Sequence, residues 1–299
     1  MKRIFFTGLI IGAARIVFAQ LDVLQHNIEQ LLKTKKATVG VSILGLEDKT
    51  ALSVNGTQHY PMQSVFKFHI ALAILNEVDK GKLSLEKEIL ISKSDLAQNM
   101  YSPIRDAYPD GIKLSIKEIL RYTVSLSDNI GCDILLKQIG GPKVVNDYIH
   151  GLGVKDVSIQ LNEAEMHQYW EAQFRNWSTP PAATGLLKIF ASGKILSKSS
   201  HDFLWKVMTE TPTGRNRITG KLPAGTTVTH KTGTSDTSEE GVMAAVNDIG
   251  IVTLPDGQHF AIAVFVSNSK ESIEANEEII ADISKLAWDY FLINANNHH

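Results

Sequence analysis

A long apolar segment in the first third of the chain constrains the fold more than any other feature. The stretch "PMQSVFKFHIALAIL", residues 61–75, is apolar on nearly every face of a helix once Pro61 is passed. A helix of this kind belongs in the interior of a protein. Its first turn nevertheless contains Ser64 and Lys67, and a buried hydroxyl or ammonium is costly unless it has partners. The sequence therefore predicts a central helix over residues 64–80 whose polar groups meet partners from elsewhere in the chain.

The other periodicities place strands near both ends of the chain and helices between them. Apolar residues at helical spacing predict helices over residues 22–35, 64–80, 115–126, 129–139, 142–151, 180–192, 199–210 and 272–292. Runs rich in Val, Ile and Leu predict strands over residues 37–48, 51–56, 226–234, 241–254 and 259–268. This order is typical of an α+β fold, in which an antiparallel sheet is covered by the terminal helices and a helical lobe is inserted.

The chain length of 299 residues allows one large domain or two modest ones. We expect a discontinuous α/β domain from residues 20–60 and 213–299, and an all-α domain over residues 61–212, with a cleft between them. The segment of about 158–179 breaks the helical pattern and contains four bulky aromatic residues. A loop of that length and composition is typical of a functional site.

The first residues have the layout of a secretory signal. Lys2 and Arg3 precede an apolar stretch, and small residues stand before Gln20. We therefore expect a signal peptide over residues 1–19 and a periplasmic protein without a membrane anchor. A buried N-terminal helix is the alternative interpretation.

Charge and cysteine content exclude several classes of partner. Loss of Lys2, Arg3 and Arg15 with the signal would reduce 30 basic side chains to 27, against 32 acidic ones. The resulting net charge of −5 argues against nucleic acid as a binding partner. The single Cys132 cannot form an intramolecular disulfide, and we expect it to be an inert core residue. The histidines show no metal-ligand spacing, so we predict no metal, no cofactor and a monomer.

Ser64 and Lys67 form an S-x-x-K element, which is weak evidence by itself. The same spacing recurs at residues 84–87 and 267–270, both of which we expect on the surface. The first copy differs because it opens a buried helix, where backbone N–H groups are unpaired and the helix dipole is positive. A three-residue spacing puts both side chains on one face, so the amine could act as general base for the hydroxyl. The alternative is a helix N-cap followed by a snorkelling lysine.

Two further elements occur once each and in order. Ser127-Asp128-Asn129 lies at the junction of two predicted helices, and Lys231-Thr232-Gly233-Thr234 lies on a predicted strand. Taken singly, the first could be a helix cap and the second an exposed strand. The set S-x-x-K, S-D-N and K-T-G is the signature of class A β-lactamases and penicillin-binding proteins.

The chain resembles class A serine β-lactamases from about residue 22 to 292, most closely the extended-spectrum branch of PER-, VEB- and TLA-type enzymes. The resembling stretches are "YPMQSVFKFHIALA", "SPIRDAYPDG", "SDNIGCDILL", "MHQYWEAQFRNW" and "VTHKTGTSD". The resemblance implies the serine β-lactamase fold, with a five-stranded antiparallel sheet and the active site in the cleft beside the helical lobe.

The resemblance also implies roles for individual residues. Ser64 would be the nucleophile, Lys67 would take or relay its proton, and the backbone N–H groups of Ser64 and Thr234 would form the oxyanion hole. Ser127 would protonate the departing lactam nitrogen, and Asn129 would bind the acylamino side chain. The substrate carboxylate would be held by four residues, Lys231, Thr232, Thr234 and Arg217, with Arg215 as a second choice for the guanidinium. Gly233 would allow close approach of the strand, and Tyr101 would form an aromatic wall at the entrance.

The long loop supplies a candidate for the base that hydrolysis of the acyl-enzyme needs. The resemblance assigns this role to Glu163, with Glu165 as the nearby competitor. His167 stands where the commoner class A pattern has Asn, and it could replace that amide as a ligand of the hydrolytic water. Leu161 and Asn176 stand where the commoner loop has an Arg–Asp salt bridge.

These residues predict a β-lactamase that hydrolyses penicillins and cephalosporins and gives antibiotic resistance. The polar turn over residues 235–241 and the altered loop predict a wide cleft that accepts oxyimino-cephalosporins. The alternatives are a peptidoglycan D,D-peptidase of the same fold and a non-catalytic β-lactam sensor. We expect His69 to be a hydrogen-bonded core residue, and His230 to point away from Lys231 by strand alternation.

Overall fold

The computed structural model describes the backbone of residues 7–48 and 50–296, and the side chains of residues 20–48 and 50–294. Its strands are β1 (Thr38–Gly45), β2 (Ala51–Val54), β3 (Tyr60–Pro61), β4 (Glu88–Ile91), β5 (Ile112–Ser115), β6 (Val157–Ser158), β7 (Trp177–Ser178), β8 (Val228–Thr234), β9 (Met243–Thr253) and β10 (His259–Ser269). Its helices are α1 (Thr7–Leu32), α2 (Phe66–Asp79), α3 (Lys93–Leu96), α4 (Pro103–Ala107), α5 (Ile116–Ser125), α6 (Asn129–Ile139), α7 (Pro142–Gly151), α8 (Glu163–Met166), α9 (Pro180–Ala191), α10 (Lys198–Thr209) and α11 (Ile273–Asn296). Two 3-10 turns span Gln63–Val65 and Trp170–Arg175.

The main sheet has five antiparallel strands in the order β2-β1-β10-β9-β8. The long strands β9 and β10 are buried along almost their whole length because helices cover both faces of the sheet. Alternate residues serve the two faces: Val246 and Val252 contact the core beneath the terminal helices, whereas Ile249 and Ile251 contact the core of the helical lobe. The predicted α+β fold with a five-stranded sheet is confirmed.

The terminal helices α1 and α11 pack together over one face of this sheet. Ile28 of α1 and Ile283 of α11 are fully buried there against strand residues such as Phe260. The predicted signal peptide, residues 1–19, lies outside the residues whose side chains the structure describes, and it stays a prediction. Within the described part of the chain, no helix combines the length and apolar character needed to cross a membrane.

Helix α2 is the centre of the helical lobe, as its sequence predicts. Every side chain from Phe66 to Leu75 is buried, and α5, α6 and α7 pack around it. The predicted start at residue 64 is two residues too early, because Ser64 lies in a 3-10 turn before the α-helix. Gln63 has φ 48°, which an α-helix does not allow, and no side chain caps the start of α2. Ser64 is therefore not an N-cap.

Small elements that the periodicities do not predict tie down the loops. Strands β4 and β5 form a two-stranded sheet, and β3, β7 and β6 form a three-stranded one. Strands β6 and β7 pair at the base of the long loop, so its two ends are held together. The loop itself contains α8 and the Trp170–Arg175 turn. The predicted domain boundaries at residues 60/61 and 212/213 stay predictions.

Candidate active site

A cleft of about 440 Å³ lies between the edge strand β8 and the helical lobe. It is lined by ten of the residues predicted for the site: Ser64, Tyr101, Ser127, Asn129, Glu163, His167, Arg217, Thr232, Gly233 and Thr234. The two predicted lysines, Lys67 and Lys231, lie just beneath this surface and are fully buried. The three sequence elements therefore converge on one place.

Lys67 is surrounded by oxygen atoms. Its Nζ lies 2.9 Å from Ser64 Oγ and 2.9 Å from Glu163 Oε1. It also lies 2.7 Å from the backbone oxygen of Ser127 and 2.5 Å from Asn129 Oδ1. The interpretation of Lys67 as a snorkelling surface lysine is wrong, because the side chain is 0% exposed. The buried ammonium and hydroxyl have the partners that the sequence required.

Lys231 is also fully buried, but no carboxylate among the described side chains contacts it directly. Its Nζ donates to Ser127 Oγ at 3.0 Å and to the backbone oxygen of Thr232 at 2.8 Å. Burial, followed by the nearby charge of Lys67, holds the pKa of Lys231 well below its usual value. A proton on Lys231 is consequently easier to transfer than one on an exposed lysine.

Asp128, the middle residue of S-D-N, is the N-cap of α6, as the helix-cap interpretation of this element predicts, and it also has a positioning role that the motif does not show. Asp128 is fully buried, and its carboxylate accepts hydrogen bonds from Ser102 Oγ, from Ile104 N and from Gly131 N at 2.7–2.8 Å. It therefore joins the start of α4 to the start of α6. Ser127, held immediately before it, has φ 61°, a left-handed conformation that is uncommon for serine.

Gly233 lets β8 lie against the turn that carries Ser64. A Cβ at this position would be 2.4 Å from the backbone oxygen of Met62, which is closer than any side chain allows. Ser235 N bonds Ala245 O, so by strand alternation the Thr234 N–H points away from β9 and toward the cleft. The Thr234 N–H thus faces the cleft that Ser64 also lines, and the oxyanion hole formed by these two N–H groups stays a prediction.

Arg217 is buried beside β8, with 5% of its surface exposed. One terminal nitrogen bonds the backbone oxygens of Gly233 at 3.1 Å and Asn247 at 2.9 Å, and the other bonds Thr234 Oγ1 at 2.7 Å. Its Nε lies 3.1 Å from Glu277. The guanidinium is therefore fixed along the edge of the cleft.

The two competing residues of the sequence analysis have other surroundings. Arg215 is exposed and lines a separate cavity of about 270 Å³ behind β8. Glu165 is the third residue of α8, where its carboxylate accepts from Asn162 N at 2.9 Å in a capping box. Neither lines the cleft, whereas Arg217 and Glu163 do.

Glu163 is held by a carboxylate that the sequence analysis did not identify. Asp133 accepts from the backbone N–H of Glu163 at 2.8 Å and from that of Ala164 at 3.1 Å. Burial raises the pKa of Asp133 from 3.8 to about 6, although these hydrogen bonds act in the opposite direction. Asp133 follows Asn129 by four residues and lies on the same face of α6, which is the sequence signal that could have identified it. The peptide bond after Glu163 is trans.

His167 lies at the mouth of the cleft, next to Glu163. Its Nδ1 lies 2.7 Å from the backbone oxygen of Glu163 and 3.9 Å from Glu163 Oε2, and 37% of the side chain is exposed. A ring nitrogen that faces a carbonyl oxygen must carry the proton, so in the neutral ring Nε2 is the acceptor. Its role as a water ligand stays a prediction.

The ends of the loop are joined by an amide in place of a salt bridge. Asn176 is fully buried, and its Oδ1 accepts from Gln160 N at 2.8 Å and Leu161 N at 3.0 Å. Its Nδ2 donates to Leu161 O at 2.8 Å. A second link runs from Gln63 to Gln173 at 2.6 Å, and it connects the turn of Ser64 to the loop.

The remaining candidates lie outside the cleft. His69 is buried and burial lowers its pKa to about 4, but the expectation of a fully hydrogen-bonded ring is wrong, because Nδ1 has no well-aligned partner among the described residues. His230 contacts Asp248 on the face of β8 opposite Lys231. Burial raises the pKa of the Cys132 thiol, which is consistent with an inert core residue. The described side chains contain no group of three His, Cys, Asp or Glu that could hold a metal ion.

Comparison with known proteins agrees with this geometry. The sequence pattern of the β-lactamase enzyme family matches residues 23–291. The chain is 51% identical to β-lactamase VEB-1 of Pseudomonas aeruginosa over 276 residues, which cover 92% of each chain. It is 43% identical to the extended-spectrum β-lactamase PER-1 of the same organism over 275 residues, 92% of this chain and 89% of that one.

Solved structures give the same result. The structure of the TLA-1 extended-spectrum β-lactamase matches with a TM-score of 0.89 and 54% identity, over 91% of this chain and 99% of that one. The chain therefore belongs to the β-lactamase enzyme family, and within it to class A.

Proposed function

We propose that the protein hydrolyses the β-lactam ring of penicillins and cephalosporins through an acyl-enzyme on Ser64, and thereby gives antibiotic resistance. The observation that carries this proposal is the position of Lys67 Nζ, 2.9 Å from Ser64 Oγ and 2.9 Å from Glu163 Oε1. One amine thus connects a nucleophile to a carboxylate that can act as base for water.

In acylation, Lys67 first gives a proton to Glu163, 2.9 Å away, and the neutral amine then takes the proton of Ser64 Oγ as that oxygen attacks the lactam carbonyl. The carbonyl oxygen becomes negatively charged in the transition state. The N–H groups of Ser64 and Thr234 would stabilise that charge, and donors of this kind contribute about 3–4 kcal/mol each in serine hydrolases. Arg217 and Lys231 supply positive charge for the substrate carboxylate, and Asn129 supplies an amide for the acylamino group.

Opening of the ring leaves the lactam nitrogen in need of a proton. Ser127 Oγ is the donor that the geometry supports, because it lines the cleft and lies 3.0 Å from Lys231 Nζ. The C–N bond breaks as the hydroxyl proton moves to nitrogen, and Lys231 can return a proton to Ser127 because burial lowers its pKa. The proton that Lys67 took from Ser64 then replaces the one that Lys231 lost, and Glu163 gives its proton back to Lys67, so that Glu163 is again a carboxylate before deacylation.

Deacylation distinguishes a β-lactamase from a D,D-peptidase. Glu163 takes a proton from water, the resulting hydroxide attacks the ester on Ser64, and the proton returns to the departing serine. Glu163 is 2% exposed and is held by Asp133 and Lys67. A carboxylate buried and positioned in this way has no purpose in the D,D-peptidase alternative. We assign His167 Nε2 as an acceptor for the same water.

Oxyimino-cephalosporins belong to the proposed substrate range. PER-1 and TLA-1 are both named extended-spectrum β-lactamases. The aromatic loop lines the cleft with Tyr169 and Trp170, and the polar turn lines it with Asp236, so both segments can contact a bulky side chain of the substrate. Steady-state kinetics with cefotaxime and ceftazidime test this range, and turnover no faster than spontaneous hydrolysis would refute it.

The central test is to mix purified protein with a chromogenic cephalosporin. We expect many turnovers per protein molecule, whereas a single stoichiometric burst would indicate a D,D-peptidase or a sensor.

The proposed periplasmic location predicts that mature protein from a periplasmic extract begins at Gln20, which intact mass measurement checks. A monomer is expected by size-exclusion chromatography with light scattering.

A further inference from the structure

A buried carboxylate behind β8 is not used by the reaction described above. Asp248 lies on β9, directly opposite Thr232 of β8, and it is 0% exposed. Its two carboxylate oxygens lie 3.0 and 3.1 Å from His230 Nδ1, and Oδ2 also lies 3.3 Å from Ile218 N. One side chain therefore contacts two separate segments of the chain.

In each of these two segments, the residue that Asp248 contacts is the chain neighbour of a cationic residue of the active site. His230 precedes Lys231, and alternation along a strand directs the two side chains to opposite faces of β8. Ile218 follows Arg217, so a hydrogen bond to its N–H fixes the backbone at the base of the guanidinium. Asp248 thus touches neither cation but restrains the backbone beside both.

The sheet leaves space for this contact. A Cβ at Gly250 would lie 2.8 Å from His230 Cβ, so the glycine opposite His230 makes room for the imidazole. Behind the ring lies the cavity of about 270 Å³ that His230 and Arg215 line. Among the described residues, Asp248 is the one side chain that hydrogen-bonds the His230 ring. Without Asp248, nothing polar would hold the imidazole against the sheet.

Charge provides a second reason for a carboxylate here. Lys231 and Arg217 are both buried, and isolated buried cations are costly. Glu277 contacts Arg217 directly, whereas no carboxylate in the described part of the chain contacts Lys231. The negative charge of Asp248 partly offsets the burial that lowers the pKa of Lys231.

We propose that Asp248 is a positioning residue for the side of the cleft that receives the substrate carboxylate, acting through His230 on Lys231 and through Ile218 on Arg217. This role rests on the proposed hydrolysis of β-lactams. It is specific to the carboxylate subsite, since Asp248 makes no contact with Ser64, Lys67 or Glu163.

The test compares one β-lactam as its free carboxylate and as its methyl ester, in wild type and in Asp248→Ala. We expect kcat/KM for the free acid to fall about tenfold or more, mainly through KM, because a hydrogen-bonded buried group is lost behind the subsite. The ester, which lacks the recognised charge, should lose no more than about threefold, so the preference for the acid shrinks.

Asp248→Asn is the second variant, and it decides the outcome if Asp248→Ala does not fold. The amide can still accept from Ile218 N–H and donate to His230 Nδ1 in the other tautomer, so it removes the charge but keeps the shape. We expect it to shift the acid-to-ester preference in the same direction by a smaller factor.

Asp79→Ala is the matched control. Asp79 accepts three hydrogen bonds at 2.6–2.7 Å, from Ser197 N, Ser197 Oγ and Ser200 Oγ, at the start of α10 and away from the cleft. The Asp79→Ala substitution should lower the melting temperature of the protein without changing its preference for the free acid over the ester. Equal losses for acid and ester in both Asp248 variants, or no loss, would overturn the positioning role. A wild-type protein without turnover would refute the proposed function instead.

Discussion

The two walls of the cleft meet at Ser64 but are held by different kinds of interaction. The sheet wall, β8, is paired with β9 through an unbroken register from Val228 to Thr234. The loop wall, residues 158–179, contains two-residue strands and short helical turns, and individual side chains hold it to the rest of the protein. Asp133, Asn176 and Gln173 make the main connections.

This difference separates the two half-reactions. In the proposed mechanism, the sheet wall supplies the N–H of Thr234, which serves both half-reactions because an oxyanion forms in each, and it supplies Lys231, which acts when the ring opens. The geometry of this wall is fixed by backbone pairing. The loop wall supplies Glu163, which acts when the ester is hydrolysed, and its geometry depends on a few side chains. Substitutions in the loop wall should therefore reduce deacylation before acylation, whereas substitutions in the sheet wall should reduce acylation as well.

The largest effect is expected for Glu163→Ala. Removal of the general base should slow deacylation by a factor of about 10² to 10⁴ while acylation continues, so the acyl-enzyme accumulates. Intact mass spectrometry after mixing with a cephalosporin would detect the adduct on Ser64. Glu165→Ala is the matched control, since it removes only a capping interaction. If Glu165→Ala accumulates the adduct and Glu163→Ala does not, the assignment of the base is reversed.

Gly233→Ala should slow acylation, the half-reaction that Glu163→Ala leaves in place. The new Cβ would meet Met62 O at 2.4 Å, so β8 must move away from the turn of Ser64 and the two oxyanion N–H groups separate. A displacement of this kind should slow acylation by about 10- to 100-fold, since oxyanion donors depend on position. Pre-steady-state mixing separates the two rates. Gly250 is unsuitable as a control because it packs on His230, but Gly257→Ala, in an open turn at φ 85°, disturbs the backbone far from the cleft. A slower deacylation with unchanged acylation in Gly233→Ala would contradict the separation of the walls.

The sheet wall is also the part that the sequence predicts best. The K-T-G element lies on a long strand, and S-x-x-K lies at the start of a helix buried on every face, so each motif is fixed by a regular element. For such residues, the spacing within the sequence is enough to predict their positions. Their convergence follows from the order of strands at both ends of the chain and helices between them.

The loop wall could be predicted only in part. Glu163 and Asn176 were identified by resemblance, but the contact between Glu163 and Asp133 depends on the path of the loop over α6, which no local pattern specifies. Strands β3, β6 and β7 have two residues each, too few for a period of two to be visible. The turn before α2 was missed because Gln63 adopts φ 48° without being glycine, and packing against Gln173 holds it there.

Asn176→Ala tests how far the loop depends on one side chain. The substitution leaves the N–H groups of Gln160 and Leu161 and one carbonyl oxygen unpaired in the interior. We expect a loss of about 3–4 kcal/mol in the free energy of unfolding, or local opening of the loop at a lower cost. Urea unfolding measures the first and limited proteolysis at Arg175 the second. Unchanged stability together with unchanged proteolysis would show that β6 and β7 alone close the loop.

The smallest effect concerns pH and Asp133. Its pKa is about 6 in the folded protein and 3.8 ordinarily, so between these pH values the folded state binds more protons than the unfolded one. Stability contributed by this residue is therefore present below pH 3.8 and is lost as pH rises through 6. A pKa shift of this size corresponds to a change on the order of 2–3 kcal/mol in the free energy of unfolding.

Comparison of wild type with Asp133→Asn isolates this contribution, because the amide does not titrate and all other groups are shared. Relative to the variant, wild type should become less stable as the pH is raised from 4 to 7, measured by urea unfolding at several pH values. The activity of wild type relative to the variant should instead increase as the pH is raised from 4 to 7. The reason is that the ionised carboxylate is the form that accepts from the N–H groups of both Glu163 and Ala164. A stability difference that does not vary with pH would mean that Asp133 is ionised throughout, and that the loop wall is held by a permanent charge.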